Sequence, residues 1–325
     1  MKIRLTLFAK TILCAVSCAY LHLNAFNAVT YDSHSGRLGD QLVNFAHAKW
    51  ISYKYTIPLL YRPFKYSDQL ALHKLHQPVG NTKFSRILKF DKRGSRVHKL
   101  NVEERLSNEL KNAQNLLISI PYFQESKHDI AKYRSFHFEV DWADKNFIAE
   151  LHKEIRPLNP LEKIKVPDNR ITVAVHVRKG GGHDSPLYQR KRLKYPDLAY
   201  PLKFPPDSFF IEQLKKMSEI LEDQPLFVYL FTDDLKPLEL IKKYKAAINK
   251  PNMEFACREV GNYHANNVLT DFFALSEFDC LIRGESNFAV MASKLGTYKV
   301  LITPVDFYWK NENELIINKV SIEVN

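Results

Sequence analysis

The chain has 325 residues, a formal net charge of +11 at pH 7 and 45% hydrophobic residues. This composition excludes a disordered or fibrous chain, and the length suggests two domains, since a domain usually holds roughly 100–200 residues. The basic excess raises the question of nucleic-acid binding, but the sequence has no zinc-finger spacing, RNP-type aromatic motif or basic region followed by heptads. We therefore interpret the charge as that of a solvated surface and expect no nucleic-acid partner.

The N-terminal segment combines a basic start with an apolar middle. Lys2, Arg4 and Lys10 are followed by no charged residue before Asp32, which is typical of a secretion signal or a short membrane anchor. Polar residues interrupt the stretch and make it weak as a spanning helix, since such a helix needs about 20 predominantly apolar residues. We predict that residues 1–24 form a signal or anchor segment and that the protein is membrane-associated or exported.

The first half of the chain alternates predicted strands and helices. Its apolar patterns predict strands at 28–32, 57–61 and 115–120, and helices at 40–55 and 144–155. Most of residues 62–115 show no clear pattern. Three prolines then mark residues 156–169 as a linker, and we place a domain boundary there, between 25–165 and 166–325.

The second half gives a cleaner alternation. Apolar runs predict strands at 171–177, 225–234, 253–257, 279–284 and 298–304, and helices at 206–223, 235–248, 267–278 and 286–296. Strands that are apolar throughout and separated by helices indicate a parallel sheet covered on both faces. Ligands of such doubly wound α/β sheets bind beyond the carboxyl ends of the strands. Four polar segments fall there: HVRKGGGH, TDD, CREVGNYH and RGES.

Five motifs follow one another along the chain: GRLGDQ (36–41), YFQESKHD (122–129), HVRKGGG (176–182), FTDD (231–234) and ESNFAVMASKLG (285–296). In order and spacing they resemble the GRLGNQ, YFQSEKYF, HIRRGDY, FSDD and NSSFSWWAAWLG elements of the α1,2-fucosyltransferases and the wider α1,2/α1,6/protein-O-fucosyltransferase superfamily. The resemblance covers nearly all of the chain after the leader. It implies an α/β fold of GT-B type, with two Rossmann-like doubly wound domains and the active site in the cleft between them.

The resemblance also implies an activity. The chain would be an inverting glycosyltransferase that takes fucose from GDP-fucose, as a co-substrate, to a hydroxyl of a glycan acceptor, with no cofactor and no metal. Residues 25–165 would form the acceptor-side domain and residues 166–325 the donor domain. The implied catalytic residues are Arg178, Asp40 and His176, and the implied donor-binding residues are Arg37, Gly39, Arg178, Lys179, Asp233, Asp234, Ser286 and Asn287.

The chemistry of these residue types supports the interpretation of the site as one that binds a nucleotide sugar. An arginine fork neutralises phosphate by bidentate contact, and the three glycines that follow HVRK let the backbone approach an anion, so Arg178 suits a diphosphate better than a surface ion pair. Ser286 at a helix start either binds phosphate or only caps the helix. Asp233 and Asp234 either accept hydrogen bonds from the nucleoside, hold a metal, or cap the next helix, and His176 is either packed in its strand or lines the site.

Several positions depart from the family pattern. Lys179 and Gly181 replace the second arginine and the acid of RRGD, Asp40 replaces the asparagine of GRLGNQ, and Val290–Met291 replaces a tryptophan pair. These changes leave open a different GDP-sugar donor, or a non-catalytic protein that binds glycans or nucleotide sugars. The base that accepts the acceptor proton is also left open among Asp40, Glu125, His128, Asp129 and His183.

Overall fold

The computed structural model describes residues 26–32, 36–80, 82–90, 102–122, 139–179, 200–263, 265–311 and 314–325. The predicted leader, most of YFQESKHD and the segment that follows Lys179 lie outside these ranges. The candidate bases Glu125, His128, Asp129 and His183 lie outside them as well. None of the helices within these ranges combines the length and apolar character needed to cross a bilayer.

The N-terminal half contains a small parallel sheet. Its elements are β1 (Ala28–Tyr31), α1 (Leu38–Tyr55), a 3₁₀ helix (Ser67–Gln69), α2 (Leu72–Leu75), β2 (Arg86–Lys89), α3 (Val102–Asn112), β3 (Leu116–Ile120) and α4 (Lys145–Glu154). The strands pair in the order β1-β3-β2. The Asp144 carboxylate caps α4 by accepting hydrogen bonds from the N–H groups of Asn146 and Phe147 at 2.9 and 3.0 Å.

The strand predicted at 57–61 is not formed. Leu59 and Tyr61 make isolated bridges to Val29 and Pro78, and the segment does not extend into a ladder. Pro58 has no N–H to donate to a neighbouring strand, which interrupts regular pairing. The apolar character of this segment is instead explained by burial, since Leu59, Leu60 and Tyr61 are at most 4% exposed.

The C-terminal half is built on a larger sheet. Its elements are β4 (Ile171–Val177), α5 (Tyr200–Lys203), α6 (Asp207–Ile220), β5 (Leu226–Thr232), α7 (Pro237–Ile248), β6 (Met253–Cys257), α8 (Val268–Glu277), β7 (Cys280–Arg283), α9 (Asn287–Leu295), β8 (Val300–Trp309) and β9 (Leu315–Val324). The strand order is β6-β5-β4-β7-β8-β9. The predicted parallel sheet is present from β6 to β8, but β9, which the sequence did not indicate, pairs antiparallel to β8.

The register of the central strands brings their polar ends together. His176 near the end of β4 is level with Phe231 of β5 and with Arg283 of β7. Residues that directly follow these strands therefore meet at one edge of the sheet. The N-terminal half covers this edge with the first turn of α1.

The two halves are joined by close packing of α1 against α9. One buried apolar cluster contains Leu42 and Phe45 of α1 together with Phe272 of α8 and Met291 of α9. The segment 156–170 between the halves holds no helix or strand. The domain boundary placed in this segment stays a prediction.

Candidate active site

A cleft lies where the start of α1 faces the carboxyl edge of the larger sheet. It encloses about 750 Å³ of space, a volume that includes open solvent at its mouth. Eight of the predicted site residues line it: Arg37, Gly39, Asp40, His176, Arg178, Asp233, Ser286 and Asn287. The structure therefore brings together both halves of the chain at the place that the motifs indicated.

Arg178 directly follows β4 and belongs to a buried polar pair. Its Nη1 lies 4.0 Å from Oδ2 of Asp233, and the two side chains are 10% and 14% exposed. The Arg178 guanidinium also lies over the ring of Phe204, 5.7 Å from its centroid, a favourable cation–π distance. Asp233 is itself fixed, because its Oδ1 accepts a hydrogen bond from the Lys179 N–H at 2.7 Å. The arginine is thus held at the strand end rather than extended into solvent.

Two further cations share the cleft with Arg178. Burial lowers the pKa of Arg37 from its usual value, while Asp233 and Asp40 oppose the shift. Burial likewise lowers the pKa of Lys203, where Asp40 and Asp233 raise it and Arg37 lowers it. Partly desolvated cations in a cleft gain more from a bound anion than exposed ones, because water screens them less. The site is therefore electrostatically suited to a multiply charged anion.

His176 is buried and neutral. Burial is the main cause that lowers its pKa to about 4; Asp233 opposes this shift and Arg283 adds to it. Its ring stacks on Phe288 with centroids 5.7 Å apart, and its Nδ1 has no hydrogen-bond partner within the described residues. His176 is therefore packed in its strand and also belongs to the lining of the cleft, so the two interpretations drawn from the sequence do not exclude each other.

The start of α9 forms one wall of the cleft. Ser286 occupies the N-cap position, but its hydroxyl makes no capping hydrogen bond, although the residue is only 3% exposed. The first N–H groups of a helix lack intrahelical acceptors and carry the positive end of its dipole. Ser286, Asn287 and Phe288 all line the cleft, so this helix start can receive an anion.

Asp40 connects the two halves through hydrogen bonds. Its Oδ1 accepts from Nδ2 of Asn287 at 2.7 Å and from the hydroxyl of Tyr122 at 2.9 Å. The same Asn287 nitrogen also donates to the Tyr122 hydroxyl at 2.7 Å. Asn287, predicted to bind the donor, thus uses its amide nitrogen to hold two residues of the N-terminal half.

The far wall contains an acid that the sequence did not single out. Asp271 in the first turn of α8 lines the cleft and pairs with Arg258 through Nη1–Oδ2 and Nη2–Oδ1 distances of 3.0 and 2.8 Å. Burial raises the pKa of Asp271, and Arg258 counteracts part of the shift. The sequence feature that could have indicated Asp271 is an acid inside the otherwise apolar run VLTDFFAL.

Within the described residues, no three His, Cys, Asp or Glu side chains are grouped to hold a metal ion.

Comparison with known proteins gives a match in structure only. No known family profile matches the chain, and no curated protein matches its sequence. A mutant of Arabidopsis thaliana FUT1 in complex with GDP aligns with 86% of this chain and 71% of its own, with a TM-score of 0.52 and 12% identity. The chain has the fold of this FUT1 structure. POFUT1 in complex with GDP-fucose aligns with 85% of this chain and 96% of its own, at 12% identity and a TM-score of 0.44.

The expected fold is therefore confirmed: two Rossmann-like α/β units of GT-B type, with a cleft between them. Two predicted donor-binding residues lie outside the cleft lining. The ammonium of Lys179 pairs with Asp207 at the start of α6, because successive side chains of an extended segment point to opposite faces. Asp234 accepts a hydrogen bond from the Lys236 N–H at 2.9 Å and so shapes the turn before α7.

Proposed function

We propose that the protein is an inverting, metal-independent glycosyltransferase that transfers fucose from GDP-fucose to a hydroxyl of a glycan acceptor. The observation that carries the proposal is the convergence of Arg37, Arg178 and Lys203 with the start of α9 in one cleft. Such a site complements a nucleoside diphosphate. The fold adds support, since the FUT1 structure that shares it contains GDP.

The diphosphate is expected to bind between Arg178 and the start of α9. When the bond between sugar and phosphate breaks, the leaving GDP gains negative charge. A guanidinium and helix N–H groups that are already in position stabilise this charge without reorganisation, which is the most effective form of electrostatic catalysis. Asp233 holds Arg178 in place, so we assign Asp233 to positioning within the donor site. Neutral His176 adds no positive charge but can donate or accept a hydrogen bond at the cleft.

Asp271 is the residue that would distinguish the nucleobase. Guanine presents its N1–H and N2–H₂ donors side by side on one edge, and a carboxylate accepts both. Uracil presents a single N–H between two carbonyl oxygens, which a carboxylate repels. Arg258 pairs with both Asp271 oxygens and fixes the carboxylate, so the guanine donors would be accepted by the lone pairs that Arg258 does not use. We therefore expect the site to prefer GDP over UDP.

The proposal is tested by calorimetric titration of the wild-type protein with GDP, UDP and CMP. We expect GDP to bind at least about tenfold more tightly than UDP, a difference of about 1.4 kcal/mol. The variant Asp271→Asn should reduce this preference while leaving the diphosphate contacts intact. Tighter binding of UDP than of GDP by the wild-type protein would contradict the fucosyltransferase proposal.

A non-catalytic protein with the same fold is the second candidate. The observation that favours it is the altered RRGD motif, in which Lys179 turns away to Asp207. Release of GDP from GDP-fucose distinguishes the two candidates, since only the enzyme produces it. For the predicted leader, residues 1–24, we retain the proposal of a signal or membrane anchor that places the protein near glycoconjugate acceptors.

A further inference from the structure

The carboxylate of Asp40 is oriented by donors from both halves of the chain. The Asn287 amide and the Tyr122 hydroxyl both donate to Oδ1, at 2.7 and 2.9 Å. These two donors are also hydrogen-bonded to each other. A carboxylate that accepts two hydrogen bonds from donors that are also bonded to each other has little freedom to rotate, so the position of Oδ2 is fixed as well.

The second carboxylate oxygen of Asp40, Oδ2, is available to a ligand in the cleft. Asp40 is part of the cleft lining, and no described residue makes a hydrogen bond or ion pair to Oδ2. Two cations, Arg37 and Lys203, interact electrostatically with the Asp40 carboxylate. An oriented carboxylate oxygen at the lining of the cleft is what a general base requires.

We propose that Asp40 is the general base of the transfer reaction and that Tyr122 and Asn287 are its positioning residues; this inference rests on the function proposed above. The acceptor hydroxyl gives its proton to Oδ2, and its oxygen forms a bond to the anomeric carbon of the sugar. The bond between that carbon and the phosphate oxygen breaks, and its electron pair leaves with GDP. Arg178 and the start of α9 receive the new charge.

The identity of residue 40 separates this chain from the pattern it resembles. The motif GRLGNQ has an asparagine where this chain has Asp40. An amide oxygen accepts hydrogen bonds but does not take up a proton near neutral pH, whereas a carboxylate does both. Asp40→Asn therefore removes the proposed proton acceptor with almost no change of shape.

The first test compares wild type and Asp40→Asn in two measurements. Calorimetry with GDP reports donor binding, and GDP release from GDP-fucose, with water as the acceptor, reports catalysis. We expect Asp40→Asn to keep GDP affinity within about threefold. We expect its rate of GDP release to fall by about 100-fold or more, the usual contribution of a general base.

The second test addresses positioning through the pH dependence of the rate. Tyr122→Phe removes one hydrogen bond to the ionised carboxylate, so the acid limb of the rate profile should move to higher pH. A residue that only supports the fold would lower the rate without moving this limb. Tyr308→Phe is the matched control, because Tyr308 is 49% exposed and lies outside the cleft lining.

The outcomes separate the two proposals. A wild-type protein that binds no GDP contradicts the proposed function itself. A wild-type protein that binds GDP and releases it from GDP-fucose, with an Asp40→Asn variant of equal rate, overturns the assignment of Asp40. A wild-type protein that binds GDP-fucose but never releases GDP also overturns it and favours the non-catalytic candidate.

Discussion

Gly39 lies against the backbone of Phe288, so close that a Cβ atom on Gly39 would stand 2.3 Å from the Phe288 nitrogen. The contact joins the first turn of α1 to the first turn of α9. Both helix starts line the cleft. Gly39, the second glycine of GRLGDQ, therefore packs at the contact that sets the separation of the two halves.

Gly39→Ala should destabilise the protein and weaken donor binding. The added methyl group meets backbone atoms at 2.3 and 2.6 Å, which cannot move without shifting a helix. Overpacking of this kind typically costs about 1–3 kcal/mol of unfolding free energy, which denaturant titration measures. Gly80→Ala is the control, since its nearest atom would be 3.7 Å away. Equal stability of the two variants would show that the halves separate freely.

Glu154→Gln should destabilise the N-terminal half. Glu154 lies 2.8 Å from Lys49 and 3.0 Å from His76. Although burial raises its pKa, its contacts with His76 and Lys49 outweigh this and lower it overall. A carboxyl with a lowered folded-state pKa contributes stability above its unfolded value, and the contribution is lost as pH falls through the folded-state pKa.

We expect Glu154→Gln to cost about 1–3 kcal/mol at pH 7, because Lys49 keeps its contact with Glu150 at 2.8 Å. Unfolding in denaturant at pH 7 and below pH 4 measures the difference. The gap between wild type and variant should narrow at the lower pH. A gap that stays constant with pH would mean that the loss is one of packing rather than charge.

His176 should remain neutral throughout the physiological pH range. Burial lowers its pKa to about 4, whereas an exposed histidine titrates near 6.5. Because the unfolded chain binds the proton more readily, this residue makes the protein less stable as pH falls from about 6.5 to about 4. Histidine NMR titration should show one imidazole that does not protonate above pH 5. Protonation of His176 near pH 6.5 would place it in solvent.

Transfer activity should persist in EDTA. We expect Arg178, Lys203 and the start of α9, which line the cleft, to neutralise the departing diphosphate, so the reaction needs no divalent cation. GDP release from GDP-fucose is measured with and without chelator. Complete loss in EDTA with recovery in Mn²⁺ would show that a metal supplies this charge.

The parallel strands of the larger sheet were predictable because each contains a continuous apolar run. The strands predicted at 171–177 and 253–257 agree with β4 and β6. β9 was not predicted because it is an edge strand in which polar and apolar residues mix. Its sequence therefore contains no continuous apolar run that would indicate a strand. The apolar run at 57–61 led to a strand prediction that was wrong, because a buried segment can be apolar without pairing in a sheet.

The site residues that directly follow strands could be predicted from the sequence. Those that enter the site through packing between distant parts of the chain could not. Arg178 and Asp233 follow β4 and β5 directly. Lys203 enters the cleft because its segment packs on the turn before α9, where the Glu285 N–H donates to the Leu202 carbonyl at 2.8 Å. Asp40 and Asn287 are 247 residues apart, and no local pattern encodes their hydrogen bond.

Calorimetric titration of GDP into wild type, Arg178→Ala, Arg178→Lys and Lys179→Ala tests most directly whether the donor diphosphate binds at Arg178. Removing a buried partner of a charged ligand costs about 2–5 kcal/mol, so Arg178→Ala should weaken GDP binding by roughly 30-fold or more. Arg178→Lys should recover only part of the loss, because a point charge does not reproduce the bidentate fork. Lys179→Ala, whose ammonium pairs with Asp207 away from the cleft, should bind like wild type. A folded Arg178→Ala variant with wild-type GDP affinity would contradict the placement of the donor diphosphate in this cleft.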